Sequence, residues 1–178
     1  MLKFIKLRKK HLSLVSRWRR SPAVTNNMLT DIDDSKEKQH IWYNQLVAKD
    51  NYKFWIISYD EILIGAIYLD KINKIKKECE LGFYIGEPSY NGIGGLILPY
   101  VYNYLFSEKR MNKINGDVMS HNKLIMNIHM LHGWSIIKDI NIKKNGINCV
   151  MHKIVLSKEN WLSLENKYKS FIAHFENQ

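Results

Sequence analysis

A glycine-rich turn is the segment of this chain best suited to bind a charged ligand. The stretch GFYIGEPSYNGIGG (82–95) runs from an extended segment through one proline into Gly92, Gly94 and Gly95. Glycines between a strand and a helix leave backbone N–H groups unobstructed, and the helix start adds partial positive charge, so such a turn can hold a pyrophosphate. A tight turn that needs positive φ would also require glycine. The spacing leaves both explanations open.

Three side chains are candidates for binding a substrate. Arg19 lies in the basic stretch RWRR, and a guanidinium can hold a phosphate with two hydrogen bonds, although a solvated basic face would look the same. Lys71 ends a strand-like run and is either a ligand contact or an exposed cation. Tyr84 alternates with Gly82 and Gly86 on one strand face, where the glycines could leave room for a ligand. Core packing is the alternative for Tyr84.

Composition predicts a folded domain with a preference for anionic partners. The chain has 178 residues, 46% of them hydrophobic and 12% aromatic, which argues against disorder. Lys and Arg outnumber Asp and Glu by 27 to 17, so the formal net charge is +10. Nucleic acid, a membrane surface and a phosphorylated small molecule all fit this charge.

Several classes of protein are disfavoured by missing patterns. The cysteines and histidines lack metal-site spacing, so no metal is expected. No apolar run approaches the roughly 18 residues of a membrane span, and the first residues do not resemble a signal peptide, so we expect a cytoplasmic protein without a membrane partner. The glycines match neither a Walker A loop nor a dinucleotide fingerprint.

The elements that must position these residues follow from hydrophobic periodicity. The pattern predicts the order β-α-α-β-β-β-α-β-α-β-β, with a short helix after Ser157, and therefore an α+β (mixed αβ) fold. Asn145-Gly146 predicts a type I′ hairpin turn, and Gly133 a helix C-cap. The glycine-rich turn joins the third strand of an antiparallel meander to the main central helix.

Beyond periodicity, the residues resemble the GNAT acetyltransferases, whose signature R/Q-x-x-G-x-G/A lies between their fourth strand and third helix. The window SYNGIG (89–94) matches both glycines and has Ser89 at the Arg/Gln position. ELGFYIGEP resembles the fourth strand of the family, and SHNKLIMNIHMLHGW (120–134) its fifth strand and fourth helix. The resemblance implies one domain over 1–178, with a core of about 2–156, a helical tail 157–178 and a largely antiparallel twisted sheet of about seven strands flanked by about four helices.

Within this family the chain is similar to bacterial N-acetyltransferases of the pseudaminic acid pathway. Those enzymes acetylate the 4-amino group of a UDP-linked 4-amino-4,6-dideoxy sugar. RWRRSP resembles their WRNHP, and CELGFY their CEFGLY. The resemblance implies an amino-sugar nucleotide as the substrate, bound by Arg19, His40, Lys71 and Tyr84.

The resemblance also implies acetyl-CoA as the co-substrate, lying along a splay between the fourth and fifth strands. Its expected binding residues are Tyr84, Ile85, Asn91, Gly92, Ile93, Gly94, Gly95 and Asn122. The tyrosine that commonly acts as general acid in these enzymes is replaced by His129, whose unperturbed pKa of about 6.5 suits proton delivery near neutral pH. Glu80 or His40, acting through water, is the expected acceptor of the amine proton.

Two other functions remain open at this point. GNAT enzymes that acetylate protein N-termini or small amines share YIGEP followed by a tyrosine and G-x-G. A nucleic-acid-binding protein without enzymatic activity would explain the charge, but the sequence has no helix-turn-helix, RNP or zinc-finger pattern, so no nucleic-acid partner is expected. The chain is expected to be a monomer or a homodimer, with INCVMHKIVL (147–156) as a candidate edge strand for pairing.

Overall fold

The chain forms two compact units. A computed structural model of the protein describes residues 1–177. The first unit comprises Met1–Ile72, Gly82–Gly94 and the segment from Ala173, and the second comprises Asn73–Leu81 and Gly95–Ile172. The prediction of one domain over 1–178 stays a prediction.

The strands follow the order β6-β7-β5-β4-β3-β2-β1-β8 in an eight-stranded sheet. Their bounds are β1 Leu2–Lys6, β2 Lys53–Tyr59, β3 Ile62–Asn73, β4 Glu78–Ile85, β5 Lys113–Met119, β6 Ser135–Lys144, β7 Ile147–Ser157 and β8 His174–Phe175. Antiparallel pairing predominates, and the β4–β5 and β1–β8 pairs are parallel. The predicted α+β (mixed αβ) fold is therefore present, and the sheet has one strand more than the sequence predicted.

The helices predicted from periodicity are present, and two short ones, Pro22–Thr25 and Glu165–Tyr168, were not predicted. Their bounds are α1 Leu12–Arg20, α2 Pro22–Thr25, α3 Lys36–Val47, α4 Gly94–Asn103, α5 Lys123–Leu131, α6 Lys158–Leu162 and α7 Glu165–Tyr168. Ser35 caps α3 by accepting a hydrogen bond from Lys38 N, and Ser is one of the residues preferred at this position. A 3₁₀ segment, Pro88–Ile93, leads into α4, and a π-helical turn, Tyr104–Glu108, follows it.

In the first unit, β2 and β3 form an antiparallel hairpin, as the predicted meander requires. Phe54 lies opposite Tyr68, and Ile56 opposite Ala66. The side chains of this sheet face pack with Leu7, Leu12, Val15 and Trp18 into an apolar core. The hairpin thereby seats α1 over the sheet, where Arg19 points toward the same face.

In the second unit, β6 and β7 form a long hairpin. Asn145 and Gly146 at its turn have φ of 49° and 81°, which confirms the predicted type I′ turn. β7 lies between β6 and β5, so it is an inner strand and the prediction that it forms an edge is wrong. β6 forms the edge of the sheet on this side, because β7 is hydrogen-bonded to β5 and to β6.

The tail after β7 holds two short helices and then a strand that the sequence did not predict. β8 pairs in parallel with β1 through His174 and Phe175. Phe175 stacks on Phe4 with ring centroids 4.0 Å apart. Two residues are too few to show a periodicity, so the sequence pattern could not indicate this strand.

Candidate active site

The first unit contains a cavity of about 560 Å³ above the β2–β3 hairpin. Arg19 of α1 and Tyr84 of β4 both line it, together with side chains from the segment 30–33, α3 and the two hairpin strands. The fold therefore brings together two of the substrate-binding residues predicted from sequence.

Aromatic rings form one wall of this cavity. Tyr68 lies between Tyr52 and Phe54, with ring centroids 6.0 Å from each and near-parallel planes. Trp42 of α3 meets Phe54 edge-on at 5.6 Å. A flat apolar wall of this kind suits a ring or an extended aliphatic chain.

Two buried polar atoms in the cavity lack a partner. The Arg19 guanidinium donates through Nη2 to the Thr30 carbonyl oxygen at 2.7 Å, whereas its buried Nε has no acceptor among the described residues. The Tyr84 hydroxyl is likewise buried and unpaired within the described chain. Burial raises the pKa of Tyr84, against the opposing effect of Arg19, so the phenol stays protonated. Unpaired buried donors are costly, and a ligand can satisfy them.

The cavity is not basic, despite the charge of the whole chain. Two basic and three acidic side chains line it, so its formal charge is −1. They are Arg19, Lys38, Asp31, Asp33 and Asp70. The surplus of Lys and Arg must therefore lie elsewhere on the molecule.

Gly82 and Gly86 do not leave room for a ligand, as their alternation with Tyr84 had suggested. A Cβ on Gly82 would lie 2.1 Å from the Tyr68 ring, and one on Gly86 would lie 2.1 Å from the Trp18 ring. The chain's own aromatic side chains fill both spaces. The glycines thus allow Tyr68 and Trp18 to cross over β4 beside Tyr84.

The glycine-rich turn does not need glycine for its backbone angles. Among residues 1–177, Gly133 and Gly146 are the glycines with positive φ, so the tight-turn explanation fails for Gly92, Gly94 and Gly95. A Cβ on Gly92 would meet nothing within 4 Å, and one on Gly94 would make an ordinary 3.5 Å contact with Phe83. Nothing in the described chain requires glycine at 92 or 94, which is the pattern expected if a ligand approaches that backbone.

His129 lies in an aromatic cluster of the second unit, and its surroundings differ from those predicted. The side chain is 6% exposed, its Nδ1 is 3.3 Å from the Tyr102 hydroxyl, and Trp134 donates to that hydroxyl at 3.0 Å. Burial, reinforced by nearby His132, lowers the pKa of His129 to about 3. This pKa lies below the unperturbed value of about 6.5, so the imidazole is neutral at pH 7 and has no extra proton to give. This geometry argues against His129 as the general acid.

The other predicted residues are placed as follows. His40 and Lys71 are exposed and do not line the cavity, although Asp70 beside Lys71 does. Glu80 is half-buried in β4 where that strand pairs with β5, opposite Asn115. Asn122 caps α5 by accepting from Ile125 N.

The remaining predicted cofactor residues cluster in sequence around the start of α4. Ile85 ends β4, Asn91 and Gly92 are exposed in the 3₁₀ segment, and Gly94 is the first residue of the helix. The assignment of acetyl-CoA to these residues and to Ile93 and Gly95 stays a prediction.

Asp70 and the aromatic wall were not predicted from the sequence. Tyr68 and Asp70 are two residues apart in β3, and Phe54 pairs with Tyr68 across the hairpin. The period of two along each strand was therefore an available signal. It was not used because aromatic residues with strand periodicity were assigned to the core.

Metal and membrane features can also be checked against the structure. Within residues 1–177 no three His, Cys, Asp or Glu side chains cluster closely enough to hold a metal ion. No helix in that range is long and apolar enough to cross a membrane.

The fold and its glycine-rich turn point to one class of protein. Residues 2–134 match the acetyltransferase (GNAT) domain family. The chain belongs to this family and is an N-acetyltransferase, for which acetyl-CoA is the acetyl donor.

Particular relatives are similar to it in different respects. The acetyltransferase PseH of Campylobacter jejuni is 25% identical over 134 residues, covering 75% of this chain and 82% of the relative. The spermidine N-acetyltransferase of Vibrio cholerae, solved with CoA and spermine, superposes with a TM-score of 0.82 at 17% identity, covering 90% of this chain and 98% of that one. A chimera of that enzyme with hSSAT superposes with a TM-score of 0.78 at 16% identity, covering 91% of this chain and 98% of the chimera. The structural likenesses establish the fold.

Proposed function

We propose that this N-acetyltransferase acetylates the amino group of an amino-sugar nucleotide, a UDP-linked 4-amino-4,6-dideoxy sugar. The pairing requirements of the cavity carry the proposal. The buried Arg19 Nε–H can only donate, so it needs an oxygen or another acceptor on the ligand. A protonated polyamine has no acceptor, whereas a sugar presents hydroxyl, ring and phosphate oxygens.

The aromatic wall and the sequence likeness to PseH support the same substrate. A sugar ring can lie against the Tyr68 face, and its hydroxyls can pair with Tyr84. Similarity to the acetyltransferase PseH extends over 134 residues, which is 75% of this chain.

The proposed reaction is a direct transfer. The neutral amine attacks the carbonyl carbon of acetyl-CoA, a C–N bond forms, and the C–S bond breaks. The amine nitrogen loses one proton, and the departing CoA thiolate gains one. The pyrophosphate of CoA is assigned to the backbone N–H groups of Ile93, Gly94 and Gly95, which is supported by the absence of any steric need for glycine at position 94.

Small amines are the second candidate class of acceptor. The specific observation in their favour is the formal charge of −1 on the side chains that line the cavity. A polyamine would gain from this charge, though it would leave Arg19 Nε unpaired.

The experiment is CoA release by the purified protein with acetyl-CoA and a set of acceptors. We expect turnover with UDP-4-amino-4,6-dideoxy-N-acetyl-altrosamine and much slower turnover with spermidine and with peptides. Arg19→Lys keeps a cation but loses the Nε–H donor, so we expect the acceptor KM to rise about tenfold. Turnover of spermidine in preference to the sugar nucleotide would overturn the substrate assignment while leaving the acetyltransferase activity intact.

A further inference from the structure

Asp70 differs from the other two carboxylates in the cavity of the first unit. Asp31 accepts from Thr25 Oγ1 at 2.7 Å, and Asp33 is ion-paired with Lys38 and accepts from Ser35 N. Asp70 accepts one hydrogen bond, from Lys71 N to Oδ1 at 2.7 Å. Its second oxygen has no partner within residues 1–177.

Asp70 lies at the end of the aromatic wall, since it lines the cavity and follows Tyr68 by two positions in β3. Lys53 lies opposite Leu69 and Phe54 opposite Tyr68, so the next step along the hairpin brings Tyr52 opposite Asp70. Burial above all, and then Tyr68 and Asp70, raise the pKa of Tyr52, which keeps this phenol neutral. Asp70 thus supplies the negative charge at the end of the wall formed by Tyr52 and Tyr68.

We infer that Asp70 binds the reacting amine of the acceptor and orients it beside the Tyr52–Tyr68 stack. The inference rests on the proposed function, since it assumes that the acceptor amine enters this cavity. An N–H of the amine donates a hydrogen bond to the unpaired Asp70 oxygen. Oxygens of the same substrate accept hydrogen bonds from Arg19 Nε–H and from the Tyr84 hydroxyl. One ligand with both N–H donors and oxygen acceptors then pairs all three groups.

This assignment replaces Glu80 and His40 as the partner of the amine. Neither lines the cavity, whereas Asp70 does. As the C–N bond forms, the nitrogen becomes strongly acidic and passes one proton to the Asp70 carboxylate, which returns it to solvent. The carboxylate is regenerated, so no further reactant is consumed.

The test is Asp70→Asn, which keeps the shape of the side chain and removes its charge. We expect kcat/KM for the amino-sugar nucleotide to fall about 10- to 100-fold, with the KM for acetyl-CoA unchanged. Asp50→Asn is the matched control, because Asp50 is exposed and lies outside the cavity. An unchanged midpoint of urea unfolding in both variants would show that the fold is retained.

A second readout separates amine recognition from a structural role. We measure by calorimetry the binding of UDP-4-amino-4,6-dideoxy-N-acetyl-altrosamine and of UDP-N-acetylglucosamine, which has a hydroxyl at C4. The wild type should prefer the amine about tenfold, and Asp70→Asn should lose that preference. If both proteins prefer the amine equally, or if Asp70→Asn retains full activity, the inference fails.

These outcomes are distinct from failure of the proposed function. If the wild type turns over spermidine and not the sugar nucleotide, the substrate proposal fails, and the effect of Asp70→Asn on spermidine turnover decides the role of Asp70. The wild type could also acetylate none of these substrates. In that case, if Asp70→Asn binds the sugar nucleotide and spermidine as tightly as the wild type does, the inference fails as well. Weaker binding of these two amines by Asp70→Asn than by the wild type would support the inference.

Discussion

Arg19 and His129 show, at the scale of single residues, how the surroundings of a side chain set its chemistry. Arg19 keeps its charge and has a buried donor aimed into a cavity, so it can bind a ligand. His129 is enclosed by Tyr102 and Trp134 and cannot hold a second proton near neutral pH. Their residue types alone favoured chemical roles for both.

The buried state of His129 predicts a loss of stability in acid. The unfolded chain takes up a proton with the ordinary pKa near 6.5, whereas the folded chain does so only near 3, so the unfolded state holds more protons between these values. Stability therefore falls as pH drops below 6.5, by about 2 kcal/mol from this residue at pH 5. His132, whose pKa burial lowers to about 4, acts in the same direction.

The measurement is the free energy of unfolding in urea at pH 7 and pH 5. His129→Asn should show a smaller loss between the two pH values than the wild type, whatever its absolute stability. His121→Asn is the control, because His121 is exposed. A wild-type pH dependence retained in His129→Asn would contradict the prediction.

At the scale of elements, one contact holds α1 against the end of β4. The Trp18 ring occupies the space above Gly86, and its indole nitrogen donates to Glu87 Oε1 at 2.8 Å. Arg17 forms an ion pair with the same carboxylate. Because Arg19 follows Trp18 directly, this contact also sets the position of its guanidinium in the cavity.

Gly86→Ala tests whether the contact between Trp18 and Gly86 holds α1 against β4. The new Cβ would lie 2.1 Å from a ring that is 1% exposed, so helix or strand must shift. We expect a loss of about 1–3 kcal/mol in the free energy of unfolding and a higher KM for the acceptor. Gly92→Ala is the matched control for stability, since its Cβ would meet nothing within 4 Å. Equal stability of the two variants would contradict the role assigned to the contact.

At the scale of the whole molecule, the charge of the chain and that of the cavity have opposite signs. The chain has a formal charge of +10, whereas the cavity lining has −1. If the substrate is the proposed amino-sugar nucleotide, a positive field around the protein attracts its nucleoside diphosphate, and the mixed lining then faces its amino sugar. The net charge of the chain is therefore expected to affect how fast a substrate associates more than how the substrate is oriented in the cavity.

The positive charge outside the cavity predicts that kcat/KM depends on salt when the substrate has a nucleotide. Raising NaCl from about 50 to about 300 mM should lower kcat/KM for the UDP-linked amino sugar severalfold, because the ions screen the long-range attraction. The methyl glycoside of the same amino sugar has no phosphate and serves as the control, with little change expected. A similar loss for both acceptors would show that the effect does not arise from the nucleotide.

Most of the fold could be predicted from the sequence, and less of the candidate site. The periodicity of two in β2 to β4, the Ser35 cap and the Asn145-Gly146 turn are local signals, which the structure confirms. β8 and the inner position of β7 depend on long-range pairing, for which the sequence has no local signal. Asp70 shares the period of two with Tyr68 in β3, but that pattern does not show that both line a cavity, because the rest of the lining comes from separate segments.

The sequence by itself determined the family, the order of the longer helices and strands and the amount of positive charge, because local patterns and composition encode these. Only the tertiary structure decided that the Trp18 and Tyr68 rings fill the spaces over Gly86 and Gly82, and that His129 is kept neutral. It also decided that the unpaired atoms of Arg19 and Tyr84 share one cavity with Asp70. Burial and the supply of hydrogen-bond partners depend on contacts between distant parts of the chain, and these exist only once it has folded.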